Sequence, residues 1–297
     1  MLQNRIITMK PKLFPVRPMA QIVGACLVAL LAGIPSRSAE TKITKLARFQ
    51  AGDTIAYGIV EGDKVRQISG DVFGSWKATD KTFALAEVKL LVPAQPTKVL
   101  AVALNYQSHL GSLPERPLPK DPELFYKPLS CLIAHEEKIV LPKDSEQVHY
   151  EGELVIVIGK RVRNVPTDKA LDYVFGVTCG NDVSARDWQK KDIQWWRAKG
   201  ADTFGPCGPF IVSGLKYDDL LLQLRVNGQV LQKERTSQMV QSVGKIVSFA
   251  SRFVTLEPGD LIYTGTPGQT TALKPGDVVE VELEGVGVLR NRVVGSQ

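Results

Sequence analysis

The segment YEGELVIVI, residues 150–158, sets two acidic residues directly ahead of five consecutive apolar ones. Successive side chains of a β-strand point to opposite faces, so Glu151 and Glu153 project from the same face of the predicted strand. Apolar side chains occupy both faces of residues 154–158, which is typical of a strand buried on both sides. Two glutamates at the head of such a strand therefore do not simply point into bulk water.

Short β-like runs, mostly bounded by Gly, Pro, Asn or Asp, extend along the chain on either side of this segment. Asn227-Gly228 predicts a hairpin turn. Many strands and few helices favour a mainly β (α+β) fold, a curled β-sandwich or barrel-like body, over a wound α/β sheet. The predicted strands are residues 43–49, 54–60, 64–68, 99–104, 154–158, 174–179, 210–212, 221–226, 230–231, 261–264 and 278–283. The predicted helices are residues 85–91, 184–191 (with a capping-box-like start at Ser184) and 240–253.

The composition predicts three parts along the chain. Residues 40–94 form a small β-rich N-terminal domain, and Pro93 and Pro96 mark its boundary with the main domain, residues 95–297. The net charge is +6, but residues 1–39 contain five basic and no acidic residues. The rest of the chain is therefore nearly neutral, which gives no electrostatic reason to expect nucleic acid as a partner.

Residues 1–39 have the order of a secretory signal peptide: basic residues, an apolar stretch at 22–34, then Pro35 and small residues. The stretch is short for a membrane span. We expect export to the periplasm or the medium, cleavage near Ser38 or Ala39, and no membrane span afterwards. An uncleaved anchor is the alternative, and a lipoprotein site at Cys26 is a weaker one.

The cysteines that remain after such cleavage are Cys131, Cys179 and Cys207. Three cysteines without paired spacing predict neither a disulfide framework nor a zinc site. Because Cys179 lies in an apolar run, a buried free thiol is the expected state.

A third carboxylate follows another apolar run, residues 174–179. Asp182 comes at the end of that predicted strand, so its side chain is left free by the local structure. Three carboxylates without His or Cys companions predict a site for a hard cation, Mg²⁺, Mn²⁺ or Ca²⁺. The spacing alone leaves an alternative open, in which Glu151 and Glu153 lie at a frayed strand entrance and Asp182 is an ordinary turn residue.

Residues 98–293 resemble the catalytic domain of the fumarylacetoacetate hydrolase family, and residues before 95 resemble the small N-terminal domain of some bacterial members. Five segments in family order carry the resemblance. They are Asn105-Tyr106-x-x-His109, Tyr150-Glu151-Gly152-Glu153-Leu154, Gly180-Asn181-Asp182-Val183-Ser184-Ala185-Arg186-Asp187 with Gln189, Lys199-x-x-Asp202-Thr203-Phe204-Gly205-Pro206-x-Gly208-Pro209, and Pro258-Gly259-Asp260-Leu261-Ile262-x-Thr264-Gly265-Thr266-Pro267.

The resemblance implies a mixed β-sandwich roll, a homodimer, and a metal held by Glu151, Glu153 and Asp182. Its expected substrates are small 2-oxo or diketo acids, in which a divalent ion stabilises negative charge on an enolate oxygen. Lys199 matches the family's lysine at the substrate site. The other expected substrate contacts are Gln189, Gly265 and Thr266, the last two in a turn whose backbone N–H groups and hydroxyl can approach an anion.

His109 is the candidate general base, since an imidazole can accept and donate a proton near neutral pH. Hydrolytic relatives often place a glutamate three residues later, where this chain has Ser112, and Glu115 is the nearest acid. The first hypothesis is a metal-dependent hydrolase or lyase that cleaves C–C bonds of acylpyruvate-, fumarylacetoacetate- or oxaloacetate-type acids. The alternatives are an isomerase or ureidoglycolate-type lyase, which the missing glutamate makes more credible, and a non-catalytic 2-oxo-acid binding protein.

Overall fold

The computed structural model describes residues 42–110 and 117–296. The predicted signal peptide, with its cleavage positions and Cys26, lies outside these ranges, and so do Ser112 and Glu115. Export and the role of Glu115 therefore stay predictions. Across the two described ranges, no helix combines the length and the apolar character needed to cross a membrane.

Strands dominate the described residues, which confirms the mainly β (α+β) prediction. The strands are β1 (Thr44–Ala51), β2 (Thr54–Glu61), β3 (Lys64–Gly70), β4 (Trp76–Ala84), β5 (Lys89–Leu90), β6 (Val99–Ala103), β7 (Glu123–Lys127), β8 (Leu132–Ile133), β9 (Lys138–Leu141), β10 (Val148–His149), β11 (Gly152–Ile158), β12 (Val174–Asn181), β13 (Ser184–Ala185), β14 (Gly205–Ser213), β15 (Leu221–Val226), β16 (Gln229–Arg235), β17 (Leu261–Tyr263), β18 (Val278–Leu283) and β19 (Gly287–Gly295). The α-helices are α1 (Gln107–Leu110), α2 (Arg186–Gln189), α3 (Trp196–Gly200) and α4 (Val243–Phe253), and 3-10 turns cover Leu85–Glu87, Leu129–Cys131, Thr167–Tyr173 and Thr236–Gln238.

The largest sheet runs in the order β4-β3-β2-β1-β14-β12-β11-β17-β6-β7, with β5 added to β1 and β8 to β14. Its first four strands come from the predicted N-terminal region. Strand β1 pairs antiparallel with β14, with Thr44 opposite Ser213 and Leu46 opposite Ile211. The N-terminal strands therefore extend the main sheet, and residues 41–297 group into one compact unit.

A second sheet, in the order β16-β15-β18-β19-β9, packs against the first. The main hydrophobic core lies between the two sheets, where Leu154 and Ile156 of β11 meet Leu222 and Leu224 of β15. The opposite face of β11 packs in a separate cluster through Val155 and Val157. Strand β11 is thus buried on both faces, as its apolar pattern predicts.

Each of the eleven predicted strands overlaps an observed strand, and two of them, 210–212 and 230–231, were much too short. Asn227-Gly228 joins β15 to β16 as an antiparallel hairpin, and β12 ends just before Asp182. The predicted strand at 210–212 is the end of the longer β14. The first half of β14 was not predicted because it contains Pro206 and Pro209, and proline is unfavourable inside most strands.

The helix predictions need three corrections. Residues 184–191 begin as β13, because Ser184 and Ala185 pair with β10, and only α2 is helical. The Ser184 hydroxyl donates to the carbonyl of Asp182 and does not cap the helix. In the region 85–91 a 3-10 turn precedes β5, which pairs with β1. Helix α4 starts at Val243, where the hydroxyl of Ser242 caps it by accepting the N–H of Lys245 at 3.3 Å.

The three cysteines at 131, 179 and 207 are free and buried. This agrees with the prediction of unpaired thiols and no disulfide framework.

Candidate metal centre

The pairing of β11 with β12 brings the three predicted carboxylates together. Gly152 lies opposite Asn181 in this antiparallel ladder, and Glu153 lies opposite Gly180. Glu151 directly precedes β11 and Asp182 directly follows β12, and the N–H of Asp182 donates to the carbonyl of Glu151 at 2.8 Å.

Oxygens of these three carboxylates lie within 4.8 Å of one another. Glu151, Glu153 and Asp182 are 4%, 1% and 2% exposed, respectively. A frayed strand end would leave them in water, so the alternative that the spacing left open is wrong. The structure instead places a buried acidic triad at one end of the large sheet.

Cationic side chains neutralise two of the three carboxylates. Glu151 accepts from the guanidinium of Arg186 and from Lys199 Nζ at 2.5 Å, and Lys199 Nζ also donates to Asp182 Oδ2 at 2.8 Å. Burial raises the pKa of the Glu151 carboxyl, but Arg186 and Lys199 outweigh it and hold that pKa well below its usual range.

Lys127 contacts the triad through Asp182. Its ammonium group is fully buried and donates to Asp182 Oδ1 at 2.6 Å, to the carbonyl of Phe204 at 3.1 Å, and to the carbonyl of Lys199. Burial lowers the pKa of Lys127, but the charge and hydrogen bond of Asp182, together with Cys131 and Glu153, outweigh burial and leave that pKa above its usual value. Lys127 therefore remains a buried cation that fixes the orientation of Asp182.

Glu153 differs from its two neighbours. Its Oε2 accepts the backbone N–H of Gly265 at 2.7 Å, and no described lysine, arginine or histidine forms a salt bridge with it. Burial, followed by the negative charges of Asp182 and Glu151, raises the pKa of Glu153 well above its usual value. A divalent cation among the three carboxylates would supply the missing positive charge, and an all-oxygen donor set suits Mg²⁺, Mn²⁺ or Ca²⁺. The triad thus fits a hard metal ion.

A small cavity, partly open to solvent, lies over the triad. All the sequence-predicted site residues except Asp182 line it, together with the unpredicted Arg186 and Trp195. The predicted residues on its wall are His109, Glu151, Glu153, Gln189, Lys199, Gly265 and Thr266. The structure therefore brings the predicted site residues to one place.

His109, on α1, is oriented by the main chain. Its Nδ1 lies 2.6 Å from the carbonyl oxygen of Gly268. A carbonyl only accepts, so Nδ1 carries a proton, and in the neutral imidazole the lone pair is on Nε2. Nε2 lies 3.7 Å from Glu151 Oε1, at the edge of the cavity.

Three of the predicted substrate contacts already have protein partners. Gln189 Oε1 accepts from Arg186 at 2.8 Å. The Gly265 N–H is used by Glu153, and the Thr266 hydroxyl donates to the carbonyl of Gly152 at 2.8 Å. The Thr266 hydroxyl therefore faces a ligand as an acceptor, and not as the donor that the sequence suggested.

The sequence of this chain matches known protein families. Residues 98–294 match the family model described as fumarylacetoacetate (FAA) hydrolase C-terminal, and residues 44–93 match the one described as Rv2993c-like, N-terminal. The chain belongs to the fumarylacetoacetate hydrolase family. Its expected fold and small N-terminal region are thereby confirmed.

Three relatives show the range of the family. Protein Rv2993c of Mycobacterium tuberculosis is 43% identical over 260 residues, 84% of this chain and 98% of that protein. The mitochondrial oxaloacetate tautomerase FAHD2A of Bos taurus is 40% identical over 222 residues, 70% of each chain. The crystal structure of 2-hydroxyhepta-2,4-diene-1,7-dioate isomerase from Mycobacterium marinum superposes with a TM-score of 0.80 at 42% identity, covering 85% of this chain and 99% of that one.

The sequence analysis did not predict two positively charged side chains at this site, Arg186 and Lys127. The sequence analysis named Arg186 only as part of a motif. Its position four residues after Asp182 was the available sign that it lies near the carboxylates. Lys127 gave no local signal, since a lysine at the end of a strand is usually exposed.

Proposed function

We propose that the protein is a divalent-metal-dependent enzyme that moves a proton between carbon and oxygen of a small 2-oxo acid, as a tautomerase or isomerase. The Nδ1 contact of His109 with Gly268 carries this choice. The carbonyl partner fixes one tautomer through Nδ1, and the nearest carboxylate, Glu151 at 3.7 Å from Nε2, is already paired with Arg186 and Lys199. Such a histidine suits a reversible single-proton relay better than the activation of water for C–C hydrolysis.

The remaining residues of the site support the same chemistry. Mg²⁺, Mn²⁺ or Ca²⁺ bound by Glu151, Glu153 and Asp182 would act as a Lewis acid toward the oxygens of the substrate. Lys199 Nζ, fixed between two of these carboxylates, can donate to an oxygen on which negative charge develops. His109 Nε2 can take a proton from the adjacent carbon and return it.

The activities of two relatives agree with this proposal. One is named as an oxaloacetate tautomerase and the other as an isomerase of an unsaturated dicarboxylic acid. Both names describe movement of a proton or a double bond without loss of carbon. We extend that reaction class, and a small 2-oxo dicarboxylic acid as substrate, to this chain.

The test is to load the metal-free protein with Mg²⁺ or Mn²⁺ and follow the enol and keto forms of oxaloacetate by ultraviolet absorbance. Acylpyruvates and ureidoglycolate serve as the competing substrates. We expect metal-dependent acceleration of the tautomerisation. Release of pyruvate from acylpyruvates as the faster reaction would instead establish hydrolysis. Binding of oxalate without turnover of any substrate would establish the binding-protein alternative.

Replacing His109 with glutamine should lower kcat by about 10²- to 10³-fold, because the proton relay is lost. The glutamine amide can still donate to Gly268, so the metal affinity measured by Mn²⁺ titration should change little. His135→Gln is the matched control, since His135 accepts from the N–H of Arg290 away from this cavity. An unchanged kcat in the His109→Gln enzyme would show that another group carries the proton.

A homodimer, which the family resemblance led us to expect, stays a prediction, and the surface next to the site supports it. Strand β7 lies at the end of the large sheet, and no described strand pairs with its outer edge, which could pair with a second β7. Tyr126 of β7, Ile193 and Trp196 form an exposed apolar face beside that edge, with Ile193 fully exposed and Trp196 70% exposed. We propose that a second copy of the chain covers this face.

Light scattering after gel filtration should then give twice the monomer mass. Changing both Tyr126 and Ile193 to glutamate should raise the dimer dissociation constant at least about 100-fold, since charges would be buried in an apolar contact. Ile55→Glu, at an exposed position on β2, is the control and should leave the mass unchanged. A wild-type monomer at micromolar concentration would refute the dimer.

A further inference from the structure

Strand β16 presents two polar side chains toward the cavity from the edge of the second sheet. Gln232 and Glu234 alternate along the strand, so both point to its inner side, where Gln232 is buried and Glu234 half-buried. Neither side chain lines the cavity. Both are instead bonded to groups that hold its wall, and we call this pair the β16 clamp.

Gln232 links two segments of the site, the backbone between Glu151 and Glu153 and the 264–268 turn. Its Oε1 accepts the N–H of Gly152 at 3.0 Å, and its Nε2 donates to Thr266 Oγ1 at 2.9 Å and to the carbonyl of Pro267 at 2.5 Å. The Thr266 hydroxyl in turn donates to the carbonyl of Gly152. The Gln232 amide, the Thr266 hydroxyl and the backbone N–H and carbonyl of Gly152 thus form a closed ring of hydrogen bonds.

This ring needs a glycine between the two metal-binding glutamates. A Cβ on Gly152 would lie 3.0 Å from Leu224 Cδ1, 3.1 Å from Leu224 Cβ and 3.3 Å from Gln232 Oε1. The glycine therefore allows β15 and β16 to approach the backbone that carries Glu151 and Glu153.

Glu234 holds the next residue of the same turn through Ser108. The Ser108 hydroxyl donates to Glu234 and accepts the N–H of Gly268 at 3.0 Å. The carbonyl of Gly268 then accepts His109 Nδ1 at 2.6 Å. Three successive residues of the turn, 266 to 268, are thus fixed by one strand, and the last of them orients the histidine.

We propose that Gln232 and Glu234 are positioning residues with separate tasks: Gln232 places the 264–268 turn, which lines the cavity, against the triad carboxylates, and Glu234, through Ser108 and Gly268, fixes the tautomer and direction of His109. This proposal rests on the proposed function for the meaning of the site, but its contacts involve only the clamp and the turn.

The two arms should separate in kinetics with the metal-loaded enzyme and oxaloacetate. Gln232→Met keeps the volume but removes every hydrogen bond, so KM should rise about 10-fold with kcat within about 2-fold. Glu234→Ala should lower kcat about 10-fold with KM within about 2-fold, because the histidine loses its fixed orientation. A loss of packing alone would lower the unfolding temperature without such a split.

Two readouts are independent of turnover. In Gln232→Met, hydrogen exchange of the Gly265 and Gly268 amides should accelerate at least about 10-fold, while exchange in α4 stays unchanged. In Glu234→Ala, nitrogen chemical shifts of the His109 ring should change from one tautomer to a mixture. Gln241→Met and Glu282→Ala are matched controls, since Gln241 is equally buried but donates to the carbonyl of Pro119, and Glu282 pairs with Arg225.

Unchanged exchange in the turn together with unchanged KM would overturn the role of Gln232. A single unchanged His109 tautomer in Glu234→Ala would overturn the role of Glu234. If the wild-type protein turns over no 2-oxo acid while exchange and tautomer respond as expected, the proposed function fails and the clamp stands.

Discussion

Replacing Asp182 with alanine is expected to abolish both metal binding and turnover. Asp182 is the member of the triad that comes from β12, and it also receives Lys127 and Lys199. Without it, Glu151 and Glu153 would face each other with too few oxygens to hold a hard cation. We expect Mn²⁺ affinity to fall by about 10²-fold or more and kcat/KM by about 10³-fold or more.

Titration calorimetry with Mn²⁺ and the oxaloacetate assay are the measurements. Asp182→Asn keeps the shape of the side chain and covers the case in which the alanine variant does not fold. Asp260→Asn is the control, because Asp260 is a buried aspartate that binds the backbone of Thr97 and Lys98 far from the triad. It should lower stability and leave the Mn²⁺ affinity of the folded protein within about 2-fold. Full activity in Asp182→Ala would remove the metal-site assignment.

Replacing Lys127 with methionine is expected to lower the free energy of unfolding by about 3–5 kcal/mol. The ammonium group is fully buried and satisfies Asp182 and the carbonyls of Lys199 and Phe204. Methionine fills similar volume, but it leaves Asp182 Oδ1 and the two buried carbonyls without the Lys127 donor, and Asp182 keeps only its contact with Lys199 among the cations. Urea denaturation of the metal-free protein measures the loss.

Lys98→Met is the matched control for this prediction. Lys98 Nζ also donates to a buried aspartate, Asp260, at 2.5 Å. Asp260 keeps the backbone N–H donors of Thr97, Lys98 and Glu257 after the substitution, so the cost should be about 1 kcal/mol or less. Equal costs for the two lysines would show that Lys127 contributes no more than an ordinary partly exposed pair.

Features set by neighbouring residues were predictable from the sequence. The apolar run after Glu153 predicted a buried strand because side chains alternate with period two, and Asn227-Gly228 predicted the hairpin because few residues adopt its backbone angles. The end of β12 placed Asp182 correctly for the same local reasons. The acidic triad then followed once β11 and β12 proved to be neighbours.

Contacts between distant segments were not predictable in this way. Lys127 reaches Asp182 across 55 residues, and His109 reaches Gly268 across 159. Both depend on the order of strands in the sheet, which local patterns do not encode. Ser184 shows the same effect on a smaller scale, since its capping pattern was overridden by pairing with His149 in β10.

The junction between β1 and β14 has a practical consequence for work with fragments of this protein. Backbone groups of residues 211–213 are paired with residues 44–46 of the preceding region. A shortened chain that begins after residue 94 would expose the edge of β14 at these residues. Exposed strand edges pair with other molecules and promote aggregation. Strands β1–β4 therefore protect this edge from aggregation. Residues 95–297 should not be expressed without them.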